Sequence, residues 1–150
     1  MKFLIIFALT LITNKSQAIT FEIQNPCEKI PFASGNLQLQ TSNALEITKL
    51  ILHQYKIKNE TSDNGILSIE NFVSGDKKLE IISESKMRAY GWCFSINGSI
   101  PDLMPDQILL KSNEELKWFL AYSTYDNGQW IDYCKEVIAN HESQKFICQN

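Results

Sequence analysis

The chain has 150 residues, 14 basic and 17 acidic side chains, and a formal charge of −3. A mildly acidic chain with no basic stripe does not attract phosphate backbones, which excludes nucleic acid as a partner class. At 44% apolar residues it is rich enough to fill a core, which excludes a disordered chain.

Residues 1–18 read as a leader. Lys2 supplies a positive start, residues 3–12, "FLIIFALTLI", are an apolar run of ten, and Ser16 and Ala18 are small residues at the two positions that a cleavage site favours. Cleavage is predicted after Ala18. The run is shorter than the ~20 residues that cross a bilayer, and no later stretch is long enough, so no stable membrane insertion is expected after cleavage. The remaining 132 residues carry 12 basic and 17 acidic side chains, formally −5, and suit one domain in the periplasm or outside the cell. Cys27, Cys93, Cys134 and Cys148 all lie beyond the cut. An even count in an exported chain predicts two disulfides, with three pairings open. Cys134 with Cys148 closes the shortest loop into the tail, for ~3 kcal/mol in the chain-entropy model, and is the favoured pair.

Residues 19–24 alternate Ile19, Phe21 and Ile23 with polar neighbours and predict a half-buried strand. Pro26, Pro31 and Gly35 punctuate a loop, and residues 36–40 alternate again as a partner strand. Over residues 43–55, Leu45, Thr48, Leu52 and Tyr55 form one stripe, widened by Ala44, Ile47, Leu50 and Ile51. That spacing predicts an amphipathic helix, with Asn43 as cap and Glu46 at the capping-box position. Residues 59–65 are polar and turn-rich. Residues 66–72, "ILSIENF", predict a strand, and "LEII" at 79–82 a short companion.

Two aromatic strands follow. In "GWCFSING", Trp92, Phe94 and Ile96 face one way and Cys93 and Ser95 the other; Asn97-Gly98 provides the positive backbone angles of a tight turn. In the returning strand Leu116, Trp118, Leu120 and Tyr122 share a face, and the strand ends in a second Asn-Gly. Pro101 and Pro105 forbid a regular hairpin between the two, so the chain makes an irregular excursion of about fifteen residues. Strands, one helix after the second strand and this excursion predict an α+β fold of β-grasp (ubiquitin-like) type. Its sheet packs on one helix, and residues 129–150 form a C-terminal tail pinned by disulfides. The tail's middle is compatible with a short helix.

The ordered set "ILSIENF", "GWCFSING" and "QILLKSNEELKWFLAYSTYDNG" resembles the transcobalamin-like C-terminal domain, a bacterial family related to ligand-binding β-grasp modules. The likeness covers residues 19–128. Ile96-Asn97-Gly98 stands where the family has Val-Asn-Gly, and Leu109 or Leu110 where it has a leucine before the last aromatic strand. The family's Gly-Asp turn is replaced by residues 112–115, where Asn113 can adopt the same backbone angles. The resemblance implies a binding module. Cobalamin follows by analogy alone, because the separate helical domain that helps cobalamin carriers hold the corrinoid is absent here.

No motif for catalysis emerges. His53 falls at the edge of the predicted helix face, and His141 sits seven residues from both Cys134 and Cys148 in a spacing that fits no zinc pattern. No serine lies in a Gly-x-Ser-x-Gly turn, and no Gly-rich phosphate loop is present. The carboxylates Glu114, Glu115, Asp102 and Asp106 suit solvated turns, and Asn59 and Asn97 begin glycosylation-type triplets that are accidental in a bacterial chain. Nine of the sixteen aromatics lie between Tyr90 and Tyr133. Trp92, Phe94 and Trp118 are assigned to the core. Tyr90, Tyr125 and Trp130 flank turns and are the candidate ligand- or partner-binding residues, unless the tail packs over them. The reading is an exported, non-enzymatic binding module for a small molecule or a protein, with no cofactor. The alternatives are a secreted inhibitor of a target enzyme, or a hydrolase whose site is assembled from distant residues.

Overall fold

The computed structural model describes residues 18–38, 42–75, 78–137 and 141–149. The predicted leader up to residue 17 and the end of the second predicted strand lie outside the described residues. The first hairpin is β1 (Ala18–Ile23) and β2 (Ala33–Gln38), paired antiparallel. Ile19, Phe21 and Ile23 are buried on one side, as their alternation requires. Ala18, next to the predicted cut, is the first residue of β1, and its carbonyl accepts the Asn113 amide at 2.7 Å.

Helix α1 (Ala44–Gln54) follows, one residue inside each predicted end. The Asn43 side chain caps it by accepting the Glu46 amide at 2.8 Å. It stops in a Schellman turn: Lys56 takes φ +56°, and the Ile57 amide donates to the Leu52 carbonyl at 2.9 Å. Ala44, Leu45, Ile47, Thr48, Ile51 and Leu52 are its buried stripe.

A small meander comes next: β3 (Asn59–Thr61), β4 (Ile66–Ile69) and β5 (Phe72–Val73). Two expectations are corrected here. The polar run at 59–65 begins as a strand. The segment 66–72 is a hairpin rather than one strand, because Glu70 turns the chain at φ +53° while its carboxylate accepts the Lys58 amide at 3.1 Å.

The larger sheet is completed by β6 (Leu79–Ser83), β7 (Lys86–Ile96) and β8 (Glu115–Asp126), in the order β2-β1-β8-β7-β6. Neighbours are antiparallel except β1 and β8, which run parallel through Thr20↔Glu115 to Ile23↔Trp118. The fold is therefore mixed α+β. Trp92, Phe94 and Trp118 are buried as expected. Phe94 stacks on Trp118 at 5.1 Å, and the Trp118 indole donates to Thr48 Oγ1 at 2.7 Å, which ties the central strand to α1.

The excursion between β7 and β8 crosses the start of α1. Asn97 and Gly98 turn at φ +53° and +77°, a 3-10 turn spans Pro105–Gln107, and the Ile108 carbonyl accepts the Ala44 amide at 2.9 Å. Of the two candidate leucines, Leu110 is buried and Leu109 exposed. Asn113 takes φ +66°, the left-handed angle the turn before β8 requires.

The tail belongs to the same body. β9 (Gln129–Trp130) and β10 (Lys135–Glu136) pair with the upper half of β8, beyond the stretch that pairs with β1. Helix α2 (Glu142–Cys148) returns to the core, where Ile147 is buried. The favoured cysteine pair is wrong: the disulfides are Cys27–Cys148 and Cys93–Cys134, with Cα separations of 5.6 and 5.9 Å. Loop length favoured the local pair, but the fold brings α2 onto the β1–β2 loop and the 131–137 segment onto β7. Among the described residues no helix is long and apolar enough to cross a membrane.

Candidate ligand-binding groove

β7 and β8 pair over eleven positions, Lys86↔Asp126 to Ile96↔Leu116, so their side chains alternate in step. One face, with Tyr90, Trp92, Phe94, Leu116, Trp118, Leu120 and Tyr122, meets the helices. The opposite face carries Ala89 beside Ser123 and Gly91 beside Ala121. Four small residues in a two-by-two block leave a depression in the middle of the sheet. Among the described residues, Gly91's own chain neighbours aside, only Ser74 lies within 4 Å of where a Gly91 side chain would begin, at 3.7 Å.

The tail raises a wall beside this floor. Trp130 pairs with Tyr125 across β9 and β8, and the two rings meet edge to face at 5.4 Å. Four residues on, Cys134 adopts φ +47° and is bonded to Cys93, which anchors the wall to the floor strand. Tyr133 is 76% exposed and Trp130 56% exposed. The resulting groove has a volume of about 550 Å³. Among the described residues the one charged lining residue is Asp132, whose carboxylate is 3.8 Å from Lys135 Nζ.

The three candidate residues therefore divide. Trp130 forms the wall and Tyr125 supports it. Tyr90 is buried rather than exposed: the residue is 1% exposed and its ring is turned to the helix side, stacked on Phe146 of α2 at 5.5 Å and against Tyr122 at 5.8 Å. It borders the groove only as part of the strand that makes the floor. The residues sequence reasoning missed are Ala89, Gly91, Ala121, Ser123, Asp132 and Tyr133. A run of small residues at alternate positions of β7 and β8 was the available signal.

On the helix side, Tyr90 Oη donates to Glu80 Oε2 at 2.7 Å, and Arg88 pairs with the same oxygen at 3.1 Å and lies over the Tyr122 ring. Burial, with the Glu80 hydrogen bond second, pushes the Tyr90 phenol well above its ordinary range. For Arg88 burial works to lower the pKa, but the Glu80 hydrogen bond and charge outweigh it and the guanidinium is held charged. This triad ties β6 to β7 and is shielded by α2.

The histidines serve elsewhere. His53 is exposed on α1. His141 caps α2 through Nδ1, which accepts the Ser143 amide at 3.3 Å, and its two flanking cysteines are in different disulfides. Among the described residues no three His, Cys, Asp or Glu side chains are grouped to hold a metal ion.

No protein-family model matches the chain, and no curated protein does. Among solved structures, it is similar to a protein of Ruminococcus gnavus ATCC 29149 described as a "putative metal binding protein". The two are 11% identical, with a TM-score of 0.40 over 69% of this chain and 92% of the other. A likeness at that level says nothing about the groove.

Proposed function

We propose that the protein is an exported, non-enzymatic binding module whose groove takes a small, flat, apolar molecule. The observation that carries this reading is the floor. Bulky side chains normally fill a sheet face, and here Ala89, Gly91, Ala121 and Ser123 clear it opposite an aromatic wall. A volume of about 550 Å³ lies within the range of small-ligand sites. Trp130 and Tyr133 offer rings against which a planar molecule stacks. Asp132 at the rim disfavours an anion, so the preferred ligand is neutral or cationic.

The fold is read as a β-grasp. The supporting features are the first hairpin, the helix after it, and β1 lying parallel to β8 at the sheet centre. The same order supports kinship with the transcobalamin-like C-terminal domain. The fit to cobalamin itself is poor: among the described residues no histidine lines the groove, and a corrinoid with its nucleotide tail is larger than the space. Two disulfides support export to an oxidising compartment, periplasmic or extracellular.

The test is a fluorescence titration of the exported form with proflavine, a planar cation, and 1-anilinonaphthalene-8-sulfonate, a comparable anion. Proflavine is expected to quench tryptophan emission saturably. Ala89→Leu, which fills the floor, and Trp130→Ala, which removes the wall, should each abolish that saturation with an unchanged circular dichroism spectrum. Equal response to both dyes, or binding that survives both substitutions, refutes the site. Native mass spectrometry of protein purified from its own host would identify the molecule that co-purifies.

A further inference from the structure

The groove has a neighbour. β6 pairs with β7 only between Lys86 and Ala89, and past that stretch a second cleft of about 150 Å³ lies beside β7, between β4 and the excursion. Trp92, Tyr133 and the Cys93–Cys134 disulfide border both cavities, so the two meet at that bond. The floor of the second cleft is Ile66, Phe94, Trp118 and Pro105, all buried. Its lip is Ile100, Leu103 and Met104, all exposed, Leu103 to 57%. Pro101 and Pro105 bracket Leu103 and Met104 and restrict the backbone there, which holds the lip in place without a ligand.

The two cavities differ in chemistry. The groove offers the Ser123 hydroxyl and the Asp132 carboxylate as hydrogen-bonding groups. In the second cleft both indoles already use their N–H groups: Trp92 donates to the Phe72 carbonyl at 2.9 Å and Trp118 to Thr48 Oγ1 at 2.7 Å. The remaining floor side chains carry no polar atom, and the polar lining residues Asn64 and Asp102 are exposed. A polar group on that floor would exchange water for side chains that cannot hydrogen-bond it, whereas hydrocarbon gains by leaving water.

We infer that the ligand is an amphiphile: its flat head lies in the groove, and a short saturated chain passes the Cys93–Cys134 bond into the second cleft. The inference rests on the groove being the binding site proposed above. Asp132 sets the direction, because a cationic head belongs on its side of the bond and the uncharged end on the other. The volume sets the length. A methylene takes up about as much space as a water molecule, ~30 Å³, so 150 Å³ holds a chain of about five carbons.

Acridine orange alkylated at its ring nitrogen with methyl, pentyl or nonyl tests this, titrated into the exported form with tryptophan quenching as the readout. Affinity should rise roughly fourfold for each methylene that enters the cleft, ~0.8 kcal/mol apiece, so pentyl should bind roughly 200-fold tighter than methyl. The nonyl dye should bind no more than a few-fold tighter than pentyl. Leu103→Asp with Met104→Asp sets charge on the exposed lip; it should cut the pentyl-to-methyl ratio at least tenfold while the methyl dye still binds. Both residues are exposed, so the circular dichroism spectrum should stay native. Ala89→Leu, which fills the groove floor, should abolish binding of all three dyes. Equal affinity for methyl and pentyl, a rise that continues unbroken to nonyl, or a ratio indifferent to the double substitution would overturn the inference and leave the groove standing. No binding of the methyl dye, or a series untouched by Ala89→Leu, would overturn the groove itself and this inference with it.

Discussion

Thr48→Val isolates one hydroxyl on which the packing of α1 depends. Thr48 is fully buried, accepts the Trp118 indole N–H at 2.7 Å and donates to the Ala44 carbonyl at 2.6 Å. Valine keeps the shape and nearly the same helix propensity. The Ala44 carbonyl keeps its helical amide, so the indole N–H is the group left without a partner. An orphaned buried donor costs about 1–3 kcal/mol, and ~2 kcal/mol is expected. At about 2.1 cal/mol/K per residue over roughly 130 residues, that lowers Tm by ~7 °C. The assay is urea unfolding followed by tryptophan fluorescence, with Thr48→Ser as the control. Serine keeps both hydrogen bonds and loses one methyl, for ~1 kcal/mol. In a Trp118→Phe background the cost of Thr48→Val should shrink, because no indole remains to orphan. A neutral Thr48→Val, or a serine variant less stable than the valine one, refutes the account of how helix and sheet are joined.

Three further outcomes follow from the structure. Because the Tyr90 phenol is held above its ordinary range, the fold favours its protonated form. Its stabilisation is complete below about pH 10 and falls as pH rises towards the folded-state pKa, by about 1.4 kcal/mol per pH unit. Tyr90→Phe should lack that component of the alkaline loss in urea midpoints, and parallel curves for the two proteins would contradict it. Lys56→Gly should raise stability by about 0.5–1 kcal/mol, since a left-handed angle strains lysine and not glycine; an unchanged urea midpoint would count against strain there. Replacing Cys93 and Cys134 together by serine should cost up to ~4 kcal/mol in the chain-entropy model and free the groove wall, read as faster tryptic cleavage at Lys135. Unchanged cleavage would show that β9 and β10 hold the wall without the bond.

Features written by local chemistry were legible in the sequence. Asn43 caps α1, the buried stripe of that helix matches its three-and-four spacing, and Asn97, Gly98 and Asn113 take the left-handed angles their residue types favour. Contacts set by the whole fold were not. Cys27 and Cys148 lie 121 residues apart, and only the return of α2 to the first hairpin brings them together. Glu70 breaks a segment that alternation joins, because Lys58, twelve residues earlier, supplies the partner its carboxylate bonds. Tyr90 looks like a turn-flanking aromatic until Phe146 and Glu80 arrive from distant segments to bury it.

The groove was harder to read because it is made by side chains that are missing. Periodicity reports where large apolar residues recur, and it found the helix-side face of β7 and β8 through Trp92, Phe94, Trp118 and Leu120. The same alternation, read for the other face, gives Ala89, Gly91, Ala121 and Ser123. Small residues there are compatible with a bare sheet surface, and the strands alone cannot distinguish the two cases. The distinction comes from the tail. Cys134 bonded to Cys93, with Trp130 set against Tyr125, stands an aromatic wall beside the cleared floor and turns a bare surface into a bounded volume. A pairing of Cys134 with Cys148 would have removed that anchor. The disulfide pairing, which loop length misjudged, is thus also the feature on which the candidate site depends.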